Sequence, residues 1–387
     1  MTNGDKINTG TPGNPHILIA PLDWGLGHAT RCIPIIRELI HQGCRVTVAS
    51  TGPHLALIKR EFPSVAHVEI PGYGLRYSRT TRGLPWKIFL QIPKILISIK
   101  RENRWLANFL AHTQVDAIIS DCRFGLHSKH VHSVLITHQL NILSPFGRLS
   151  TQLLRKWNYK FINRFHQCWI PDYQHSPGLA GILSHPHHLP ATPVDYIGCI
   201  SRMDGANAIP EKKFDVVVIL SGPEPQRTIF ENIILQQLAT FKGKAAVVRG
   251  LPAGNDQAMP SANAIVYDHL PAEELCELVN AGELVISRSG YTTVMDLVKL
   301  QKKSVLVPTP GQTEQEYLAD HLSQSGICVS MKQEEFDIGK AVQLAQRYSY
   351  TIGKVDMELY KEKVKDLLLK LPRTGDSRSA ETTKFIG

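Results

Sequence analysis

Short runs dense in Ile and Val recur along this chain with longer amphipathic stretches between them, and that alternation leaves little choice of fold. The first series is HILIA (16–20), RVTVA (45–49), DAIIS (116–120) and SVLIT (133–137). Apolar runs of this length, without a polar residue at every second position, read as strands of a parallel sheet covered by helices on both faces. A second series follows: FDVVVIL (214–220), KAAVVR (244–249), AIVY (264–267), ELVIS (283–287) and SVLVP (304–308). The pattern predicts an α/β chain of two Rossmann-like doubly wound domains, 15–200 and 214–350, facing each other across a cleft. Residues 201–213, where Gly, Pro, Asn and Lys break the periodicity, form the linker. A length of 387 residues, at about 150 per domain, fits that division. Residues 351–372 read as a C-terminal helix, and the polar tails 1–14 and 373–387 as disordered.

Composition narrows the setting. With 43 Lys and Arg against 34 Asp and Glu the net charge is +9, which favours anionic partners such as nucleotides, phospholipid surfaces or nucleic acid. Nucleic acid is set aside, because no RNP, KH, helix-turn-helix or zinc-finger signature is present and few aromatics lie near the basic stretch. Seven cysteines without a CxxC pair suit neither a disulfide framework nor a zinc site, and point to a reducing compartment. No apolar leader opens the chain. The longest apolar stretch, 88–99, is interrupted by Gln91, Pro93 and Lys94 and falls short of the ~20 residues a bilayer needs. The expected location is the cytoplasm.

Ligands of doubly wound sheets sit beyond the carboxyl ends of the strands, so the motifs of interest follow strands. Directly after the first run comes Pro21-Leu-Asp-Trp-Gly25-Leu-Gly27-His28-Ala-Thr-Arg31, opening a helical run. Gly25 and Gly27 let backbone amides approach an anion at a helix N-terminus, and His28 stands at the mouth of the cleft. This is not a dinucleotide fingerprint: Thr30 takes the place of the third glycine, and Ser50 rather than an acid ends the next strand. An imidazole with its ordinary pKa of about 6.5 can accept a proton from a hydroxyl nucleophile. Asp23 and Asp121, each just past a strand, can enter the same cleft. Either can orient His28 or act as the base itself, and either can equally be a residue that caps the next loop.

The second motif is longer. Tyr267-Asp-His269-Leu270 precedes a helical segment, and Ser287-Arg288-Ser289-Gly290-Tyr-Thr292 marks a strand giving way to a helix that carries Asp296. After a Pro-rich turn, Glu314 and Gln315 open the next helix. Amides and hydroxyls at such a helix start can receive a diphosphate, Asp296 can accept both hydroxyls of a ribose, and Glu314 and Gln315 can bind sugar hydroxyls. In this order the motifs resemble those of the GT-B glycosyltransferases, particularly the group of the peptidoglycan N-acetylglucosaminyltransferase and the plant galactolipid synthases. The resemblance implies diphosphate contacts from Ser289, Gly290 and Thr292, a ribose contact from Asp296, packing near the base by His269 and Leu270, and donor-sugar contacts from Glu314 and Gln315. It spans roughly residues 15–350 and is dense in motifs only in 16–31 and 264–322. One loop departs from the pattern. Ser221-Gly222-Pro-Glu-Pro-Gln-Arg227 stands where many relatives have a Gly/Ser-rich turn, which moves the phosphate contact toward Arg227.

The reaction implied is a single displacement. His28 or Asp121 deprotonates an acceptor hydroxyl as it attacks the anomeric carbon of a UDP-sugar, with inversion and loss of UDP. No cofactor or metal is called for: there is no DxD pair, and the HPHH run at 185–188 reads as a surface loop. The leaving charge falls to helix dipoles, hydroxyls and Arg288 or Arg227. The GLGHATRC run also resembles the opening of a UDP-sugar hydrolase of pseudaminic acid biosynthesis, so a nucleotide-sugar hydrolase or epimerase on the same scaffold is the alternative. Beside the site, Arg76, Arg79, Arg82, Lys87, Lys94, Lys100, Arg101 and Arg104 make 71–104 the most basic region. A helix from near Trp86 to 104 is either an ordinary domain helix with solvated cations or a basic amphipathic helix on the anionic inner face of the cytoplasmic membrane. The second reading implies a lipid-linked acceptor, such as a cell-envelope glycan precursor.

Overall fold

The structure is a computed structural model that describes residues 14–74, 91–203, 211–222, 224–252, 259–261, 263–353 and 355–371. The first half is a seven-stranded parallel sheet: β1 (His16–Pro21), β2 (Arg45–Ser50), β3 (Ala66–Glu69), β4 (Ala117–Asp121), β5 (His132–Ile136), β6 (Gln167–Ile170) and β7 (Val194–Tyr196). Their order is β3-β2-β1-β4-β5-β6-β7. Every residue of β1 and of β4 is buried, as their unbroken apolar runs require, and Ile17 pairs with Val46 on one side and Ala117 on the other. Helices α1 (Gly27–His41), α2 (Gly52–Glu61), α3 (Ile92–His112) and α4 (Arg148–Ile162) belong to this half.

The second half repeats the plan with β8 (Phe214–Ile219), β9 (Ala245–Val248), β10 (Met259–Ser261), β11 (Ala264–Tyr267), β12 (Gly282–Ser287), β13 (Ser304–Leu306) and β14 (Val329–Ser330). The order β10-β11-β9-β8-β12-β13-β14 is parallel except at β10, the antiparallel edge. Its helices are α5 (Gln226–Leu238), α6 (Ala272–Ala281), α7 (Tyr291–Lys299), α8 (Thr313–Gln324) and α9 (Ile338–Arg347). Each sheet reverses its strand order once, between β1 and β4 in the first and between β8 and β12 in the second. A reversal leaves a crevice at the carboxyl ends of the two strands that flank it.

Two features differ from a purely local reading. The last helix, α10 (Leu359–Lys370), follows the second half in sequence yet buries Tyr360, Val364 and Leu367 with Ile33 and Ile36 of α1, in the core of the first half. In the basic region, Arg76, Arg79, Arg82 and Lys87 lie outside the described residues. Within it, α3 buries Ser98, Ile99, Glu102 and Leu106 and leaves Lys94, Lys100, Arg101 and Arg104 exposed. The HPHH run is part structural, since His185 stacks on Tyr196. Among the described residues no helix is long and apolar enough to cross a membrane. Residues 1–13 of the first expected tail, the whole of the second (373–387) and most of the linker lie outside the described residues.

Candidate functional site

The two crevices open toward each other. In the first, the turn between β1 and α1 places Gly25 at φ +83°, in the left-handed region that a side chain would strain. In the second, Gly290 is the N-cap of α7, in extended conformation. The two helix starts touch: Thr292 Oγ1 donates to the Gly27 carbonyl at 3.1 Å. A Cβ on Gly27 would stand 3.1 Å from that hydroxyl, whereas one on Gly290 would meet nothing within 4 Å. The N-terminus of α7 therefore opens on space, with the end of its dipole that favours anions.

Facing it is a charge cluster. His28 and Arg31, one turn apart on α1, share a helix face and both reach Asp121, the last residue of β4. His28 Nδ1 donates to Asp121 Oδ1 at 3.2 Å, and Arg31 Nε donates to Oδ2 at 3.1 Å. Arg31 Nη2 completes a two-pronged clasp on the same carboxylate and lies 3.0 Å from His28 Nδ1. Burial disfavours charge on each group, yet the pairing prevails. Burial alone would raise Asp121, but the Arg31 and His28 cations hold it far below the usual carboxylate range. Burial would lower His28, but the Asp121 carboxylate lifts it to about 9. His28, Asp121 and Cys122 bring donor atoms within 4.8 Å of one another, the spacing of a metal site. Arg31 already neutralises Asp121, so a dication there would be set against a fixed positive charge.

The cluster continues across the cleft. His138, two residues past β5, has Nδ1 3.2 Å from Arg31 Nη1 and Nε2 2.8 Å from Glu314 Oε1 in the first turn of α8. Its ring stacks on Tyr291 of α7, with centroids 4.4 Å apart, and Gln139 Nε2 donates to Glu314 Oε2. Glu314 is thus held by the opposite domain. Burial would raise it, but His138 keeps it below its ordinary value. Tyr291 Oη donates to the Pro171 carbonyl at 2.8 Å and Thr313 Oγ1 to the Leu143 carbonyl at 3.0 Å. Asp296 is buried in α7, where Ser201 Oγ from the start of the linker donates to it at 2.5 Å and Arg202 Nε lies 3.9 Å away. Burial pushes its acid up.

The C-terminal half matches the glycosyltransferase family 28 C-terminal domain over residues 254–351. Among curated relatives, a UDP-N-acetylglucosamine--N-acetylmuramyl-(pentapeptide) pyrophosphoryl-undecaprenol N-acetylglucosamine transferase of Rhodopseudomonas palustris is 39% identical over 72 residues, 18% of each chain. The enzyme of the same name from Prochlorococcus marinus is 28% identical over 132 residues, 33% of this chain and 36% of its own. The chain matches well under half the length of these relatives. Among solved structures, the glycotransferase of kitacinnamycin superposes with a TM-score of 0.60 at 14% identity, covering 93% of this chain and 95% of its own. Acinetobacter baumannii MurG does so at 0.50 and 15% identity, covering 92% and 100%. The chain has a GT-B fold. Its second half is similar to the glycosyltransferase family 28 C-terminal domain over most of its length.

Within this GT-B architecture the sequence-expected residues divide. His28, Asp121, Gly25 and Gly27 meet on one wall, and Gly290 and Thr292 on the other. Asp23 does not face His28. It accepts from the Tyr73 amide at 2.9 Å and pairs with Arg123 at 3.3 Å, tying down the 71–74 loop, so Asp121 is the carboxylate that meets the imidazole. The two arginines expected on phosphate are committed elsewhere. Arg227 is clasped by Glu224 (2.6 Å) and Glu231 (2.8 Å). Arg288 is buried, donates to the carbonyls of Val307, Pro308 and Gln226, and lies over Phe230. Ser289 Oγ donates to the Gln315 carbonyl, and the Gln315 side chain accepts from the Thr309 amide. These two side chains brace the α7–α8 junction. His269 and Leu270 are buried just past the end of β11, and Ser221 and Gly222 follow β8 at the second crevice, Gly222 at φ +101°. Arg31, His138 and Gln139 are not singled out by the sequence, and neither is His54. Burial beside Gly25 pushes the His54 imidazole below its ordinary value.

Proposed function

We propose that this chain is an inverting glycosyltransferase, independent of metal, that moves a sugar from a UDP-sugar to a hydroxyl acceptor, one carried on lipid and destined for a cell-envelope glycan. One observation carries the reading. A His–carboxylate pair on one domain and an open helix N-terminus on the other are held on opposite walls of one cleft, joined at Thr292 and Gly27. The relatives named above act on a UDP-sugar and a pyrophosphoryl-undecaprenol acceptor, and this supports the donor and the class of acceptor.

In this mechanism His28 takes the acceptor's proton as the oxygen attacks the anomeric carbon, and Asp121 stabilises the imidazolium that forms. Arg31 keeps Asp121 ionised and fixes its position. UDP leaves toward the amides and dipole of α7 and the Thr292 hydroxyl, because Arg227 and Arg288 are bound to other partners. Asp296 receives the ribose once Ser201 releases it, and Glu314 meets the sugar from its place on His138 and Gln139. The test is thermal: UDP and UDP-sugars should raise the melting temperature without added magnesium, and Asp296→Ala should abolish the rise. Sugar transfer to a polyprenyl-linked acceptor should then be lost in His28→Ala. A shift unchanged in Asp296→Ala removes the ribose assignment, and transfer retained in His28→Ala removes the base.

A further inference from the structure

Helix α6 runs straight into β12, and two carbonyls at that junction face two lysines at once. Lys302, three residues past α7, donates from Nζ to the Asn280 carbonyl at 2.9 Å and to the Gly282 carbonyl at 3.0 Å. Lys212, two residues before β8, donates to the same two carbonyls at 2.8 and 2.9 Å. Carbonyls at a helix C-terminus lack partners within the helix and attract a cation, so one of these lysines is a cap. The cap does not need the other. Lys302 is buried, 7% exposed, whereas Lys212 is exposed. Among the described residues, the groups that act on Lys302 by charge are Lys212 and the Cys276 thiol of α6, with no Asp or Glu among them.

Two ammonium groups gathered on one pair of carbonyls, without an acid to offset them, repel each other. Burial and the Lys212 cation push Lys302 down to about 7. The two amines therefore form a coupled pair that gives up one proton near neutral pH, and exchange between the nitrogens lets either one hold the free lone pair. An amine beside a second cation is the setting in which lysine becomes a nucleophile. Only the exposed member can be reached. We propose that Lys212 is a site of Nε-acylation by acyl thioesters. The Nζ lone pair attacks the thioester carbonyl carbon, the C–N bond forms as the C–S bond breaks, and the departing thiolate takes the proton that the nitrogen loses. Acylation removes one of the two competing charges and leaves Lys302 as the charged cap. The site uses none of the residues of the cleft and stands apart from the transferase reading.

The test treats the full chain with S-acetyl-N-acetylcysteamine, a small acetyl thioester, and follows acetylation lysine by lysine by peptide mass spectrometry. At about pH 7, Lys212 should react about tenfold or more faster than Lys340 and Lys365, which are exposed on α9 and α10. Its rate should level off by about pH 8, while theirs climbs toward the ordinary lysine value of about 10.4. This profile needs no variant. Lys302→Met leaves Lys212 as the sole cap, and its rate should fall to that of Lys340. Lys302→Arg keeps a charge that is never given up, so Lys212 alone can release the proton and its rate should stay at or above that of the parent chain. Three results would overturn the proposal: Lys212 no faster than Lys340 and Lys365 at about pH 7, a Lys212 rate still climbing at about pH 9.5, or an unchanged Lys212 rate in folded Lys302→Met.

Discussion

If His28 takes the acceptor's proton, transfer should be slow at neutral pH and quicken in alkali. Asp121 lifts the imidazole to about 9. At pH 7 roughly one molecule in a hundred then carries the neutral ring that can act as a base. The lift above the ordinary value of about 6.5 corresponds to about 3 kcal/mol in favour of the cation. Log kcat/KM should climb with a slope of about one per pH unit through neutrality and level off near 9. Asp121→Asn removes the attraction and leaves burial, which lowers the ring, with the Arg31 cation unopposed. The limb should then move to about 6.5 or below, on a plateau reduced by the lost orientation of the ring. Initial rates of UDP release across pH 5.5–10 read both limbs, and an NMR titration of the His28 ring reads the same value without turnover. The sign extends to folding. The folded state holds this proton more tightly than the unfolded chain, so the stabilisation is complete below about 6.5 and is lost as pH rises through about 9. A limb at or below 6.5 in the parent chain, or one that Asp121→Asn leaves in place, refutes this account of the cluster.

Three further perturbations test the cleft and its support. His138→Ala takes from Glu314 the partner 2.8 Å away across the cleft, and donor KM should rise by about tenfold with a smaller change in kcat; a fall in KM would show that the contact blocks the donor. Gly27→Val adds side-chain bulk where even a Cβ stands 3.1 Å from Thr292 Oγ1, so the domains should close less tightly, seen as lower small-angle scattering compaction with UDP; equal compaction would show that the contact is dispensable. Arg123→Met leaves Glu102 buried without its 2.7 Å partner, which should cost about 3 kcal/mol or more and lower the melting temperature by about 10 °C. Calorimetry reads this directly, and a drop below about 2 °C would mean that Tyr73 and the Gly125 amide suffice for Glu102.

What the sequence discloses follows from how locally each feature is determined. Strands β1, β4, β8 and β12 are legible because central parallel strands need unbroken apolar runs, and the helix starts at Gly27 and Gly290 are legible because a glycine-containing turn follows each of two such runs. The edge strands β7, β10 and β14 are two or three residues long, too short to carry a period. The packing of α10 on α1 is decided by its neighbours in space, which an amphipathic pattern does not name. The same limit governs the site. Asp23 and Asp121 follow strands in the same way, and only the fold shows that Arg123 and the Tyr73 amide hold the first while Arg31 and His28 hold the second. Arg227 and Arg288 look like phosphate ligands because a sequence does not show Glu224, Glu231 and the carbonyls that engage them. Arg31 and His138 were within reach. Arg31 lies three residues after His28 on one helix, where side chains meet, and His138 follows SVLIT as Asp121 follows its own strand. Applied to every strand end, the rule that finds Asp121 finds His138 too, and with it the residue that carries the charge cluster across the cleft to Glu314.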